Sequence, residues 1–118
     1  MSEFGPNCFS FTYKELGLTA KEEIIPMVSL RMILENFDLV QTPEEADALA
    51  VLFPFGRGLV ANHMAVINSD KKTLRHRPGA NFSPSEGEIN EQLKPYVNEE
   101  TSLVFLRIKP GTEVLFWK

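Results

Sequence analysis

The chain lacks most of what small extracellular or metal-bound domains are built on. It has one cysteine, Cys8, in 118 residues, which excludes an intrachain disulfide and a cysteine-rich zinc site. It has only two histidines, His63 and His76. Positive charge is not in excess: 12 Lys and Arg face 16 Asp and Glu, for a net charge of −4. That argues against a nucleic-acid partner, which is usually met by a clustered basic surface. No apolar run approaches the roughly 20 residues needed to span a bilayer. There is no Gly-rich phosphate loop and no metal-ligand spacing, so neither a cofactor nor a metal is expected. The opening Met1-Ser2-Glu3-Phe4-Gly5-Pro6 has no basic region and no apolar segment. The expectation is a chain made in the cytoplasm, with any export by an unconventional route such as a phage particle or a secretion machine.

What is present is a well-distributed apolar content of 43%, enough for one core in a single domain over residues 1–118. The spacing predicts a first helix over Cys8 to Leu16, with Phe9, Tyr13 and Leu16 on one stripe and Gly17 as its stop. A second helix is expected over Met27 to Phe37, after Pro26, and Thr42-Pro43-Glu44-Glu45 reads as a capped helical turn. Strands follow: Ala48 to Phe55, Leu59 to Ile67 and Thr73 to Arg77, separated by Gly56-Arg57-Gly58 and by the polar turn at residues 68–72. Ser85 is placed to cap a short helix over Glu88 to Leu93. Two further strands are expected at Ser102 to Ile108 and Glu113 to Trp117. Helices first and an antiparallel sheet after predict an α+β domain, with the helices on one side of the sheet.

Asn7 at a helix start puts the Cys8 thiol in the first turn, where unpaired backbone N–H groups and the helix dipole favour a thiolate. On alternating strands His63 shares a face with Ala65 and Ile67, and His76 shares one with Leu74. The turn between the strands makes them antiparallel neighbours. A helix packed on their common face can present Cys8 to His63, the arrangement a thiol nucleophile needs: a base in reach and a third group fixing its tautomer. Taken singly, a lone cysteine is most often a small buried hydrophobe, and a lone strand histidine is usually surface or satisfied core.

The order of these elements resembles the NlpC-type cell-wall cysteine peptidases. Asn7-Cys8-Phe9-Ser10 matches their Cys-bearing helix start, His63-Met64-Ala65-Val66-Ile67 their His strand, and His76 the polar residue on the next strand. The related CHAP amidases usually take Asn, Asp or Glu at that third position. The resemblance implies a compact papain-like fold and hydrolysis of an amide or peptide bond, most of all in bacterial cell-wall peptides. It makes Cys8 the nucleophile, His63 the general base and His76 the orienting residue. Asn7 stands where many members carry an Asp that binds a free amine of the stem peptide, and Phe9 and Ser10 replace small residues. The implied partners are a peptide or cell-wall fragment as substrate and, for an injected effector, an inhibitor or immunity protein.

Asn7, Tyr13 and Asn62 are the candidate substrate contacts. Asn62 adjoins His63 and can donate to a carbonyl, although strict alternation turns it from the histidine face. Tyr13 also reads as core-edge packing. Lys71, Lys72, Arg75, His76 and Arg77 form a local basic patch, more simply read as solvated hairpin charge. The segment from Pro78 to Phe82 reads as a loop or as a cleft wall. The alternative to an enzyme is a non-catalytic binding or assembly module on the same fold, and a third option is a thiol hydrolase with a protein substrate.

Overall fold

The computed structural model describes residues 7–19, 25, 27–79 and 82–112. The Gly5-Pro6 turn, Pro26, Ala80, Asn81 and the expected strand from Glu113 to Trp117 lie outside them. Helix α1 spans Cys8–Glu15 and starts at a reciprocal cap. Asn7 Oδ1 accepts from the Ser10 amide at 3.0 Å, and Ser10 Oγ accepts from the Asn7 amide at 2.8 Å. This satisfies two of the amides that a helix start leaves without partners. Asn7 Nδ2 donates to the Ile25 carbonyl at 2.8 Å. Gly17, at φ +78°, ends the helical path, and the Leu18 amide closes back on the Tyr13 carbonyl. Burial is not confined to one stripe, because Cys8 to Tyr13 are all buried. Phe11, off the expected stripe, lies under the Arg77 guanidinium, 5.9 Å from ring centroid to Cζ.

Helix α2, Leu30–Asn36, is capped by Ser29 and starts later than its apolar pattern suggests. Val28 is held extended instead: its carbonyl accepts from the Ala61 amide, and Ser29 bridges Val60. Phe37 leaves the helix and opens strand β1, Phe37–Val40, which helical spacing alone does not separate from α2. Pro43–Glu45 forms a 3-10 turn. Strands β2 (Ala48–Phe55), β3 (Gly58–Ile67) and β4 (Thr73–His76) follow. Ser85 does not cap a helix. It opens strand β5, Ser85–Glu88, which pairs with β4 before helix α3, Ile89–Leu93. Strand β6 is Ser102–Ile108.

The sheet is antiparallel throughout, in the order β1-β6-β2-β3-β4-β5. One face packs Ala48, Ala50, Leu52, Met64 and Leu106 against Cys8, Phe9 and Tyr13 of α1 and Ile33 of α2. The other packs Leu49, Val51, Ala65, Ile67 and Leu74 against Ile89 and Leu93 of α3. The N-terminal helices therefore cover one face, but α3 covers the other, so the helices are not all on one side. Both faces of β2 are buried near its start, which is why it reads as a continuous apolar run. Between Val51 and Leu52 the β2–β3 register slips: Val51 faces His63, while Leu52 faces Ala61, leaving Asn62 as the extra residue of a bulge. Among the described residues no helix is long and apolar enough to cross a membrane.

Because the Asn7 side chain carries both the cap and the tie to Ile25, Asn7→Ala is expected to lower stability by about 1 kcal/mol, and Asn7→Ser by less. Urea denaturation at neutral pH measures both. Equal stabilities for wild type and Asn7→Ala would show that the cap contributes nothing.

Candidate active site

His63 and His76 are brought together in the interior, 0% and 1% exposed. Val51, which faces His63 across β2 and β3, belongs to the core under α3, as does Leu74, two residues before His76. Both rings therefore look toward α3. His63 Nε2 lies 2.6 Å from His76 Nδ1, and His76 Nε2 lies 3.0 Å from Gln92 Oε1 on α3. The Tyr96 ring stacks on His63 at 3.7 Å between centroids with planes 6° apart. Tyr96 is held from two sides: its hydroxyl donates to the Pro78 carbonyl at 2.6 Å, and its own carbonyl accepts from Asn62 Nδ2 at 3.0 Å. One ring atom is left over. Among the described residues, His63 Nδ1 is buried without a hydrogen-bond partner.

The bulge explains Asn62. Strict alternation turns it from the histidine face, but as the extra residue of β3 it is released from that rule and reaches the residue that stacks on His63. Its Nδ2 is committed to Tyr96, while its Oδ1 is buried and has no partner among the described residues. The Asn7 side chain is committed to the α1 cap and to Ile25. Tyr13 is core packing, edge-on to Phe37 at 6.0 Å, and burial, with Glu35 nearby, pushes its hydroxyl up to about 12.

Cys8 comes from the other face. It is 7% exposed and packs with Met64, the neighbour of His63 that points toward α1. The helix on the histidine face is α3, so the expected presentation of Cys8 from a helix on that face is not what the fold provides. The described β3–β4 ladder pairs Val66 with Arg75 and Ile67 with Leu74, leaving the β3 edge beside Met64 outside it. There the Met64 backbone hydrogen-bonds the thiol. The thiol is also close enough to raise the Tyr96 hydroxyl, which burial already pushes up. Among the described residues no hydrogen bond joins Cys8 to His63 or His76.

Burial decides the protonation states. It pushes the Cys8 thiol up to about 11, against the backbone N–H groups of Met64, Phe9 and Cys8 itself, which pull it down. The thiolate expected from a helix start is thus not the resting form, because desolvation exceeds the pull of the helix terminus. Burial, with the His76 ring beside it, lowers His63 to about 3. Burial also lowers His76, against the Gln92 bond that raises it. At neutral pH the resting site is uncharged: a thiol and two neutral imidazoles.

The basic patch is largely tied down. Arg75 pairs with Glu15 at 3.0 Å and donates to Asn68 Oδ1 at 2.6 Å, while Lys71 Nζ donates to the Ala46 carbonyl at 2.7 Å. An open cleft of about 860 Å³ lies by these groups, lined by Asp47, Asp70 and Glu86 among others, and does not reach Cys8 or either histidine. Of the segment from Pro78 to Phe82, Phe82 is 64% exposed. Gln92 and Tyr96 are functional candidates that sequence reasoning missed, since neither lies in a motif and each reaches its histidine through the packing of α3 and the chain after it.

A histidine protonated near 6.5 when unfolded and near 3 when folded destabilises the fold on acidification. Between those values the unfolded chain binds the extra proton, so stability rises with pH and is lost as pH falls. From pH 6.5 to 5 His63 is expected to remove about 2 kcal/mol. Urea denaturation at both pH values checks this against His63→Phe, which keeps a ring on Tyr96. A wild-type loss no larger than the variant's contradicts the buried, neutral assignment.

Comparison with protein-family models, curated proteins and solved structures returns no match to the chain.

Proposed function

We propose that the protein is a thiol hydrolase of amide or peptide bonds, with Cys8 as nucleophile, His63 as general base and His76 as the residue that orients it. The observation that carries this reading is the buried, unpartnered Nδ1 of His63, on a ring whose other nitrogen is held by His76. An imidazole nitrogen buried without a partner costs about 1–3 kcal/mol. A proton-accepting role for that atom explains why it is kept. The neighbouring strand residue, Met64, carries the backbone group that meets the Cys8 thiol.

Since both groups rest uncharged, the chemistry is general-base catalysis. The Sγ–H proton passes to His63 Nδ1 as Sγ bonds to the carbonyl carbon. The resulting imidazolium protonates the leaving amine as the C–N bond breaks. Water, deprotonated by the same ring, then splits the thioester and restores the thiol. The backbone N–H of Cys8, at the helix start, is the oxyanion donor the resemblance suggests. The papain-like, NlpC-type reading adds the substrate class: peptides of the bacterial cell wall. The delivery routes that go with this proposal are a phage particle or injection, the second bringing an immunity protein.

The second reading is a non-catalytic binding module on the same fold. It is favoured by the low exposure of Cys8, by its raised thiol and by the lack of a hydrogen bond from it to either ring.

The test incubates wild type, Cys8→Ala and His63→Ala with purified cell-wall peptides and follows products by mass spectrometry. Wild type is expected to cleave, and each variant to lose at least about a thousandfold in rate. No Cys8-dependent cleavage sinks the cell-wall assignment. If broader peptide and protein mixtures also stay intact while wild type and Cys8→Ala bind a cell-wall fragment equally, the binding module replaces it.

A further inference from the structure

The chain of hydrogen bonds that begins at His63 ends at a residue whose chemistry has a direction. Gln92 Oε1 faces His76 Nε2 at 3.0 Å, and Ser85 Oγ donates to the same oxygen at 3.5 Å. A carboxamide oxygen only accepts. The amide nitrogen of Gln92 lies toward β5, where position 87 has no side chain. A Cβ there would sit 2.6 Å from Gln92 Nε2, 3.2 Å from its Cδ and 3.3 Å from its Cγ. Gly87 thus leaves the space that the Gln92 carboxamide occupies while its oxygen meets the ring.

The direction then propagates. With an acceptor at Nε2, a neutral His76 carries its proton there, and its Nδ1 is bare. The 2.6 Å contact to His63 needs one donor, which must be His63 Nε2–H. A neutral His63 protonated at Nε2 has a bare Nδ1, the atom that is buried without a partner. We propose that Gln92, seated in the space that Gly87 leaves, is the positioning residue that sets the proton register of the His63–His76 pair and leaves His63 Nδ1 as the lone-pair nitrogen. The consequence for catalysis rests on the hydrolase reading, which uses that nitrogen as the base; the proton register itself does not.

The test is long-range proton–nitrogen NMR on the full chain labelled with ¹⁵N-histidine, at pH 8 where neutral rings dominate. Wild type is expected to show both rings protonated at Nε2 and bare at Nδ1. Gln92→Leu removes the acceptor and is expected to bring Nδ1–H forms into both rings. Gly87→Ala, which alters no member of the chain, is expected to produce the same change in part. Gln92→Glu, whose carboxylate can only accept, is expected to keep the wild-type pattern. A wild-type His63 protonated at Nδ1, an unchanged pattern in Gln92→Leu, or a pattern lost in Gln92→Glu overturns the inference. Should Gln92→Leu fail to fold, Gly87→Ala decides, and no change there overturns it. The peptide assay separates the two proposals. If wild type cleaves, Gln92→Leu is expected to lower kcat by about tenfold or more with KM kept and Gln92→Glu to restore it, since a wrong tautomer disables the base. If wild type does not cleave while the spectra behave as stated, the register stands and the hydrolase reading falls.

Discussion

The pairing of β2 with β3, and its one-residue slip at Asn62, is the constraint on which the rest of the domain depends. These strands form the middle of the sheet, with β6 on the outer side of β2 and β4 on the outer side of β3. A slip of one residue changes which face each side chain takes. Ala61 lies with Leu52 in the core under α1 and α2, whereas His63 lies across from Val51 in the layer under α3. Without the bulge, Ala61 and His63 would share a face. The same slip releases Asn62 to hold Tyr96, and Tyr96 is the ring that covers His63.

Two physical effects compete at Cys8, and their sizes decide the outcome. A helix N-terminus stabilises a negative charge by roughly 0.3–1 kcal/mol at an exposed site and up to about 2 in favourable partly buried geometry. Desolvation of a buried thiolate works in the opposite direction and outweighs it here, so the thiol titrates near 11 rather than below its ordinary value. The same burial keeps both imidazoles neutral. At rest the pair is therefore a thiol and neutral imidazoles rather than a thiolate–imidazolium pair.

The buried polar chain from His63 through His76 to Gln92 crosses from β3 to β4 to α3. It spans the point where the β3–β4 ladder stops, so side chains join the strands where the backbone no longer does. Every ring nitrogen in it has a partner except His63 Nδ1. Met64, the next residue of β3, turns its side chain to the opposite face, into the core that holds Cys8.

Much of this was legible in the residues themselves. Asn7 after the Gly-Pro pair marks the start of α1, Gly17 marks its end, and the bounds of β2 and β6 follow from their apolar runs. The spacing of His63 and His76 on two strands joined by a polar turn already implies that their rings can meet. Strands β1 and β5 were not legible, because Phe37–Val40 continues the apolar pattern of α2 and Ser85–Glu88 is polar, so only pairing with β6 and β4 makes them strands. The face on which each helix lies was not legible either. Local sequence determines where a segment starts, stops and repeats its apolar residues, since caps, turns and periodicity act within a few residues. Which histidine nitrogen is left bare, that burial outweighs the helix terminus at Cys8, and that Gln92 and Tyr96 complete the histidine pair were decided by tertiary structure, because desolvation and hydrogen-bond direction depend on groups that the chain brings together from distant positions.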